Sequence, residues 1–341
     1  MFPFLNEPLK AILLGIYSLI GNYGWSIVVF TLLIRLLLMP LDAKSRKSMR
    51  KTQKLQPQIA ALQKKYKTDK EKLNQKTMEL YRKEKVSPLS GCLPMLLSLP
   101  ILFGMFGAMN ILAHEQTASH VFEYLTGKEP VYQGWLWVKN IWMPDSPFAP
   151  RVPDANTIKQ VPPENWQNVY NTLNETQKAA LDTFNQGLPE DQKISYDFSK
   201  ENYTATVAKM ITALQTNVPL YYEKTTTVPG WTNLNLFIAQ LSIFVAFNGF
   251  FILPLLAAIS QFMMSSAMPQ TPTQEGQPNT AGFMKWFFPI FSLFICFSYN
   301  AGFSLYWVTA NLIAAAQNVL LNKYFDAQEK KAAAVGEGTV K

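Results

Sequence analysis

The chain has 341 residues, 48% of them hydrophobic, a net charge of +8, two cysteines and two histidines. Cys92 and Cys296 are spaced for neither a disulfide framework nor a metal site, and both fall in apolar runs where a small buried side chain is the ordinary role. Most of the excess positive charge sits in one stretch, so the overall balance is no argument for a nucleic-acid binder.

The hydrophobic average resembles that of a soluble protein, but the apolar residues are bunched. Long runs fall at 24–41, 92–113, 236–264, 283–299 and 301–321, each about as long as a bilayer requires. The fold class expected is all-α: a polytopic membrane protein with five transmembrane helices.

Residues 1–22 contain an apolar stretch, Leu9 to Ile20, too short to span. No basic n-region precedes it and no A-x-A site follows, which favours a retained interfacial helix over a signal peptide. Gly21 and Gly24 mark a bend into the first span, 23–42. That span, GWSIVVFTLLIRLLLMPL, is interrupted by a single charge, Arg35. A cation there costs about 2.5–3.5 kcal/mol on insertion scales, so it normally faces protein or water. Arg35 lies six residues from Leu41, about 9 Å at the helical rise, and its stem can snorkel to the headgroups. Thr31, one turn deeper on the same face, argues against snorkelling alone, because it continues the polar stripe toward the bilayer centre.

Residues 42–87 hold fifteen Lys or Arg against five Asp or Glu, whereas 113–235 hold nine against thirteen. The positive-inside rule therefore puts the basic loop in the cytoplasm, the N-terminus outside and the C-terminus inside. Anionic lipid, an acidic protein and ribosomal RNA all suit such a loop. The loop, 43–87, reads as a helical hairpin. Leu55, Ile59, Leu62 and Tyr66 form one stripe with Pro57 in a first turn, and Thr68-Asp69-Lys70-Glu71 fits a capping box opening a second arm that runs to about Lys85. Leu73, Leu80 and Tyr81 make only a sparse stripe there, so a mostly solvated hairpin is expected.

The second span, 88–113, carries Pro88, Pro94 and Pro100, which suit the wall of a cavity because prolines free carbonyls that need partners. In the outer segment, 114–146, Trp135, Trp137 and Trp142 read as an interfacial aromatic belt. His114 and His120 fall in this outer loop without ligand partners. Residues 147–232 read as an inserted helical module. Trp166, Val169, Tyr170 and Leu173 share one face, and Tyr203, Val207, Met210, Ile211 and Leu214 another. The apolar stretch within 233–268 is longer than one span needs. Asn248-Gly249 divides it into an outer interfacial piece and a span from about Phe250, with one long tilted helix as the alternative. Ser260, Gln261 and Ser265 on that span either line a polar interior or make ordinary interhelical bonds. A polar loop, 269–281, leads to the fourth span, 282–300. Asn300-Ala301-Gly302 then turns tightly into the fifth span, 301–322, where Trp307, Asn311 and Asn318 lie near one face with Tyr306 and Gln317 close by. A short tail, 323–341, closes the chain.

No nucleophile with a base, phosphate loop or metal cluster stands out, so neither an enzyme nor a cofactor is expected. What remains is a hydrophilic stripe of Arg35, Thr31, Gln261 and Asn311 beside a basic hairpin.

At these residues the chain resembles the YidC insertases and their mitochondrial and chloroplast relatives. The likeness runs through the arginine followed by LLLMPL, LQPQIAALQKKYKTDKEK, VSPLSGCLPMLL, GWLWVKNIWMPDS, FFILPLLAAISQF and AGFSLYWVTANLIAAAQN, over roughly residues 20–148 and 248–323. Ser98 stands where such proteins commonly carry glutamine. The usual signal is missing, the module has no recognised counterpart, and the tail is shorter than those that help some relatives hold ribosomes. The resemblance implies five helices around a hydrophilic groove, open to the cytoplasm and to lipid. Arg35 would stand at its centre, Thr31 beside it, and Tyr306 and Trp307 on the facing helix; Gln261 and Asn311 are further lining candidates. It implies a membrane protein insertase and chaperone of the bacterial cytoplasmic membrane. Nascent membrane proteins would be its substrates and membrane lipids its surroundings, with the general secretion channel, targeting factors and the ribosome as further partners. Nucleic acid would enter only through ribosomal contact. The competing readings are a channel or secondary transporter binding a small anion at Arg35, and a scaffold acting through its outer module.

Overall fold

The computed structural model describes residues 3–85, 93–236, 239–267 and 280–338. Among the described residues the regular structure is helical, apart from one short antiparallel ribbon. Helix α1 (Asn6–Ile20) ends where Gly21 adopts φ 72°, and its N–H bonds the Tyr17 carbonyl at 2.7 Å. This α1 packs lengthwise on α5 (Leu93–Leu125). Leu5 and Leu9 approach Gly104, Asn6 approaches Gly107, and Lys10 Nζ lies 2.6 Å from Glu115 Oε1, so the two helices run parallel.

Helix α2 (Tyr23–Lys54) starts from an Asn22 cap, whose side chain accepts the Trp25 N–H. It continues through Pro40 far into the basic stretch, so the expected boundary at residue 42 is not a helix end. Among the described residues, α2 is the helix long and apolar enough to cross a membrane; Ile252–Ser266 and Lys285–Ser298 are shorter apolar helices. The hairpin follows as α3 (Gln56–Lys65), with Pro57 in its first turn, and α4 (Lys70–Lys83). Leu55 and Ile59 are buried against Leu80 and Tyr81, which holds the arms together at one end. The cap of α4 is Asp69, accepting the Lys72 N–H at 3.0 Å, and not a box opened by Thr68. An aspartate one residue nearer the helix is the stronger acceptor and sets the start. Past the helix end at Lys83, Lys85 takes a left-handed φ of 53°.

Pro88 and Cys92 lie outside the described residues, as do the side chains of Pro94 and Ser98. Cys296 is buried, as its apolar setting predicts. Helix α5 extends well beyond residue 113, so His114 and His120 sit on its last turns rather than in a loop. That extension is the centre of the inserted helical module. Around it stand α6 (Ala155–Lys159), α7 (Pro163–Thr172), α8 (Glu175–Gln186), α9 (Tyr203–Asn217) and α10 (Pro219–Thr225). Trp166, Val207, Met210, Ile211 and Leu214 are buried, with Val169, Tyr170, Leu173 and Tyr203 packed on them, as their periodicity predicts. They close on Val121, Phe122 and Leu125 of α5, which contribute to the same core. Phe122 stands edge-on to Trp166 at 5.6 Å, and Trp166 stacks on Phe198.

The return to the main body is extended, through β1 (Leu234–Leu236) paired with β2 (Ala239–Leu241), so a single long helix over 233–268 is not formed. Residues 243–248 then bond to 226–231 on one side and to 147–151 on the other. Helix α11 (Ile252–Ala267) starts just past Asn248-Gly249, and α12 (Thr280–Ser298) turns through Asn300 into α13 (Ala301–Gly338). The tail expected from residue 323 is therefore a continuation of the last helix. A second core joins α1, α2, α5, α11 and α13 through Leu13, Ile27, Phe30, Met105, Met109, Leu253, Ala257 and Phe303.

Candidate substrate-binding cleft

Helices α2 and α13 run side by side and parallel. Between them α2 contributes Thr31, Ile34, Arg35 and Leu38, α13 contributes Tyr306 and α5 contributes Ile101 to one small cleft. Arg35 is half-buried there. Its guanidinium makes no hydrogen bond or ion pair among the described residues, while its backbone carbonyl accepts Gln317 Nε2 at 3.2 Å. The carboxylate whose field reaches Arg35 is Asp42, two turns along α2 and shared with Arg46.

Of the six side chains expected in a groove, Thr31, Arg35 and Tyr306 come together. Thr31 is 1% exposed, and its hydroxyl donates to the Ile27 carbonyl of its own helix at 2.7 Å. Gln261 and Asn311 pair with each other instead. Asn311 Nδ2 donates to Gln261 Oε1 at 3.0 Å and reaches Ser260 Oγ at 3.5 Å, with all three residues buried between α11 and α13. That is an interhelical bond, the simpler of the two readings open to those residues. Trp307 packs half-buried on Phe303, ring centroids 5.6 Å apart, and does not line the Arg35 cleft.

The N-terminal ends of α2, α11 and α13 are tied down by residues 134–146 and 248–253. Asp145 is fully buried; its carboxylate accepts the N–H groups of Phe250 (2.9 Å) and Leu253 (2.6 Å), and Trp137 Nε1 at 3.0 Å. A carboxylate suits that place, where the first N–H groups of α11 lack partners. Asn248 accepts the Asn140 N–H at 2.7 Å and donates to the carbonyls of Asn140, Met143 and Pro144. The N–H groups of Ala301 and Gly302, at the start of α13, bond Met143 and Ile141 at 2.9 and 2.8 Å. Trp142 is buried edge-on against Tyr23, so the tryptophan stretch reaches into the core as well as along its surface.

Sequence reasoning missed the Asp145–Asn248 closure and the burial of Arg46. Polar residues amid apolar ones at NIWMPDS and FNGFF were the available signal for the first. Nothing in a run of lysines and arginines singled out the second. Among the described residues, no three His, Cys, Asp or Glu gather to hold a metal ion.

A helical body with a long apolar helix, α2, and a half-buried arginine in a cleft beside it suits a membrane protein. The chain belongs to the 60Kd inner membrane protein family, whose sequence pattern matches residues 15–330. Similar curated proteins, each named membrane protein insertase YidC, come from several bacteria. The Fusobacterium nucleatum protein is 46% identical over 113 residues, 33% of this chain and 55% of that protein. The Oleidesulfovibrio alaskensis protein is 41% identical over 141 residues, 38% of this chain and 26% of that protein. For the Pelobacter propionicus protein the figures are 39% over 148 residues, 43% and 25%. The matched segments thus span from a quarter to about half the length of these relatives.

Proposed function

We propose that this chain is a membrane protein insertase and chaperone that works through the Arg35 cleft. Five spans, 23–42, 88–113, about 250–268, 282–300 and 301–322, cross the bacterial cytoplasmic membrane with the N-terminus outside and the C-terminus in the cytoplasm. The observation that carries the reading is the Arg35 guanidinium, half-buried beside Thr31, Ile101 and Tyr306 without a counter-ion among the described residues. An unpaired cation in a low-dielectric setting attracts acidic groups strongly.

A short acidic tail of a nascent membrane protein enters the cleft from the cytoplasm, where the basic hairpin receives it. Arg35 offsets part of the cost of bringing its charges into the membrane. The apolar segment behind the tail then moves into lipid, and its partition drives the step without nucleotide. Tyr306 faces the substrate beside Arg35. Trp307, Gln261 and Asn311 shape the wall from behind, the last two through the bond that joins α11 to α13. The closure at Asp145 and Asn248 keeps the outer end sealed to ions.

The test reconstitutes the purified protein in liposomes and follows protease protection of a single-span protein with an acidic N-terminal tail. Wild type and Arg35→Lys insert it and Arg35→Ala does not. Equal insertion by all three removes the arginine from the mechanism, and no insertion by wild type, beside an active control insertase, removes the insertase reading itself.

A further inference from the structure

The cytoplasmic part of α2 does not stand alone. Beyond Asp42 the helix continues for about 18 Å at the helical rise, and three residues one turn apart, Arg46, Arg50 and Lys54, face α13. Arg46 Nη1 donates to Asn322 Oδ1 at 3.1 Å, and Arg46 is only 5% exposed. Arg50 donates to the Asp326 carboxylate and to the Asn322 carbonyl, lies 3.6 Å from Glu329 Oε1, and covers the Phe325 ring at 5.6 Å. Lys54 Nζ is 2.9 Å from Glu329 Oε2. Basic residues of one helix thus meet polar and acidic residues of the other, turn by turn, in parallel.

A lone exposed ion pair contributes little, but a ladder anchored on a buried arginine and an aromatic ring resists being pulled apart. Lys54 is the last residue of α2, and α3 begins two residues later at Gln56, so whatever fixes α2 there also fixes the hairpin. We propose that Arg46, Arg50 and Lys54 are positioning residues: with Asn322, Asp326 and Glu329 they clasp α2 and α13 into one stiff stalk that holds the hairpin over the cytoplasmic mouth of the Arg35 cleft. The functional half of this inference rests on the insertase reading; the mechanical half does not.

The test uses the full chain in lipid nanodiscs, with Cys92→Ala and Cys296→Ala as background and spin labels at Gln75→Cys on α4 and Met263→Cys on α11, both exposed positions. Pulsed electron resonance should give one narrow distance distribution. Arg50→Glu and Asp326→Arg should each broaden it at least twofold, the gentler Arg50→Gln should broaden it less, and the combined swap Arg50→Glu/Asp326→Arg should restore it. Insertion of the acidic-tailed protein should fall at least threefold in each single reversal and recover in the swap. Unchanged widths in both Arg50 variants, or a swap that stays as broad as its folded parents, overturn the clasp. Broadened distances with undiminished insertion overturn its positioning role. Wild type that fails to insert while the distances behave as expected strikes the insertase reading and upholds the stalk.

Discussion

Asp145 and Leu253, 108 positions apart in the sequence, meet at 2.6 Å, the carboxylate of one accepting the backbone N–H of the other at the start of α11. The same carboxylate holds Phe250 and Trp137, so three donors depend on one fully buried side chain. Asp145→Ala leaves all three unpaired and should cost at least about 3 kcal/mol. Asp145→Asn should also destabilise, since its amide offers donors where acceptors are required. Thermal unfolding in nanodiscs, with hydrogen exchange at residues 250–253, reads both effects.

The Gln261–Asn311 pair should behave as structure and not as a substrate contact. A double-mutant cycle with Gln261→Leu and Asn311→Leu should give a coupling of about 0.6–1.7 kcal/mol, the range of such bonds inside membranes. Insertion should stay within twofold of wild type in the double variant. Thr31→Val should be equally mild, because its hydroxyl is already satisfied by Ile27.

Gly24 lies under the ring of Trp135, where any Cβ would collide with the indole. Gly24→Ala should therefore cost about 1–3 kcal/mol through overpacking. Trp135→Leu in the same chain should recover most of that loss, a non-additivity that melting curves of the two single and the double variants would expose.

His120 lies on α5 beyond the proposed span, 4% exposed and edge-on to Tyr132. Burial pushes its pKa down from the usual 6.5 to about 4. The unfolded chain therefore takes up a proton first as the pH falls. Stability should drop from about pH 6.5 toward pH 4, by on the order of 3 kcal/mol, and change no further through this group below that. His120→Phe should flatten that limb of a stability-versus-pH curve for the outer module.

Periodicity made the module's faces legible. Trp166, Met210 and Leu214 are buried where a helical stripe puts them, but a stripe names a face and not its partner, so Phe122 of α5 went unrecognised as the other half of their core. The residues of the candidate cleft were legible in part. A lone arginine with a threonine one turn away pointed to the cleft, and Tyr306 joined it through the family resemblance. Gln261 bonds Asn311, and that neighbour depends on the rotation of α11 about its own axis, which a largely apolar helix hardly specifies. Arg46 was hidden differently: in a run of basic residues, one buried cation looks like the rest until the opposite helix is in view.

Because Val121, Phe122 and Leu125 of α5 belong to the outer module's core, that module cannot be cut away as an appended bead. Excising residues 147–232 would strip one side of a helix and leave a sticky stump that invites aggregation. A shortened protein would need polar replacements along that stump, and the excised piece, lacking its central post, would need a substitute helix to fold around. The boundary that matters to anyone trimming this chain therefore runs along the length of a helix, not across a linker.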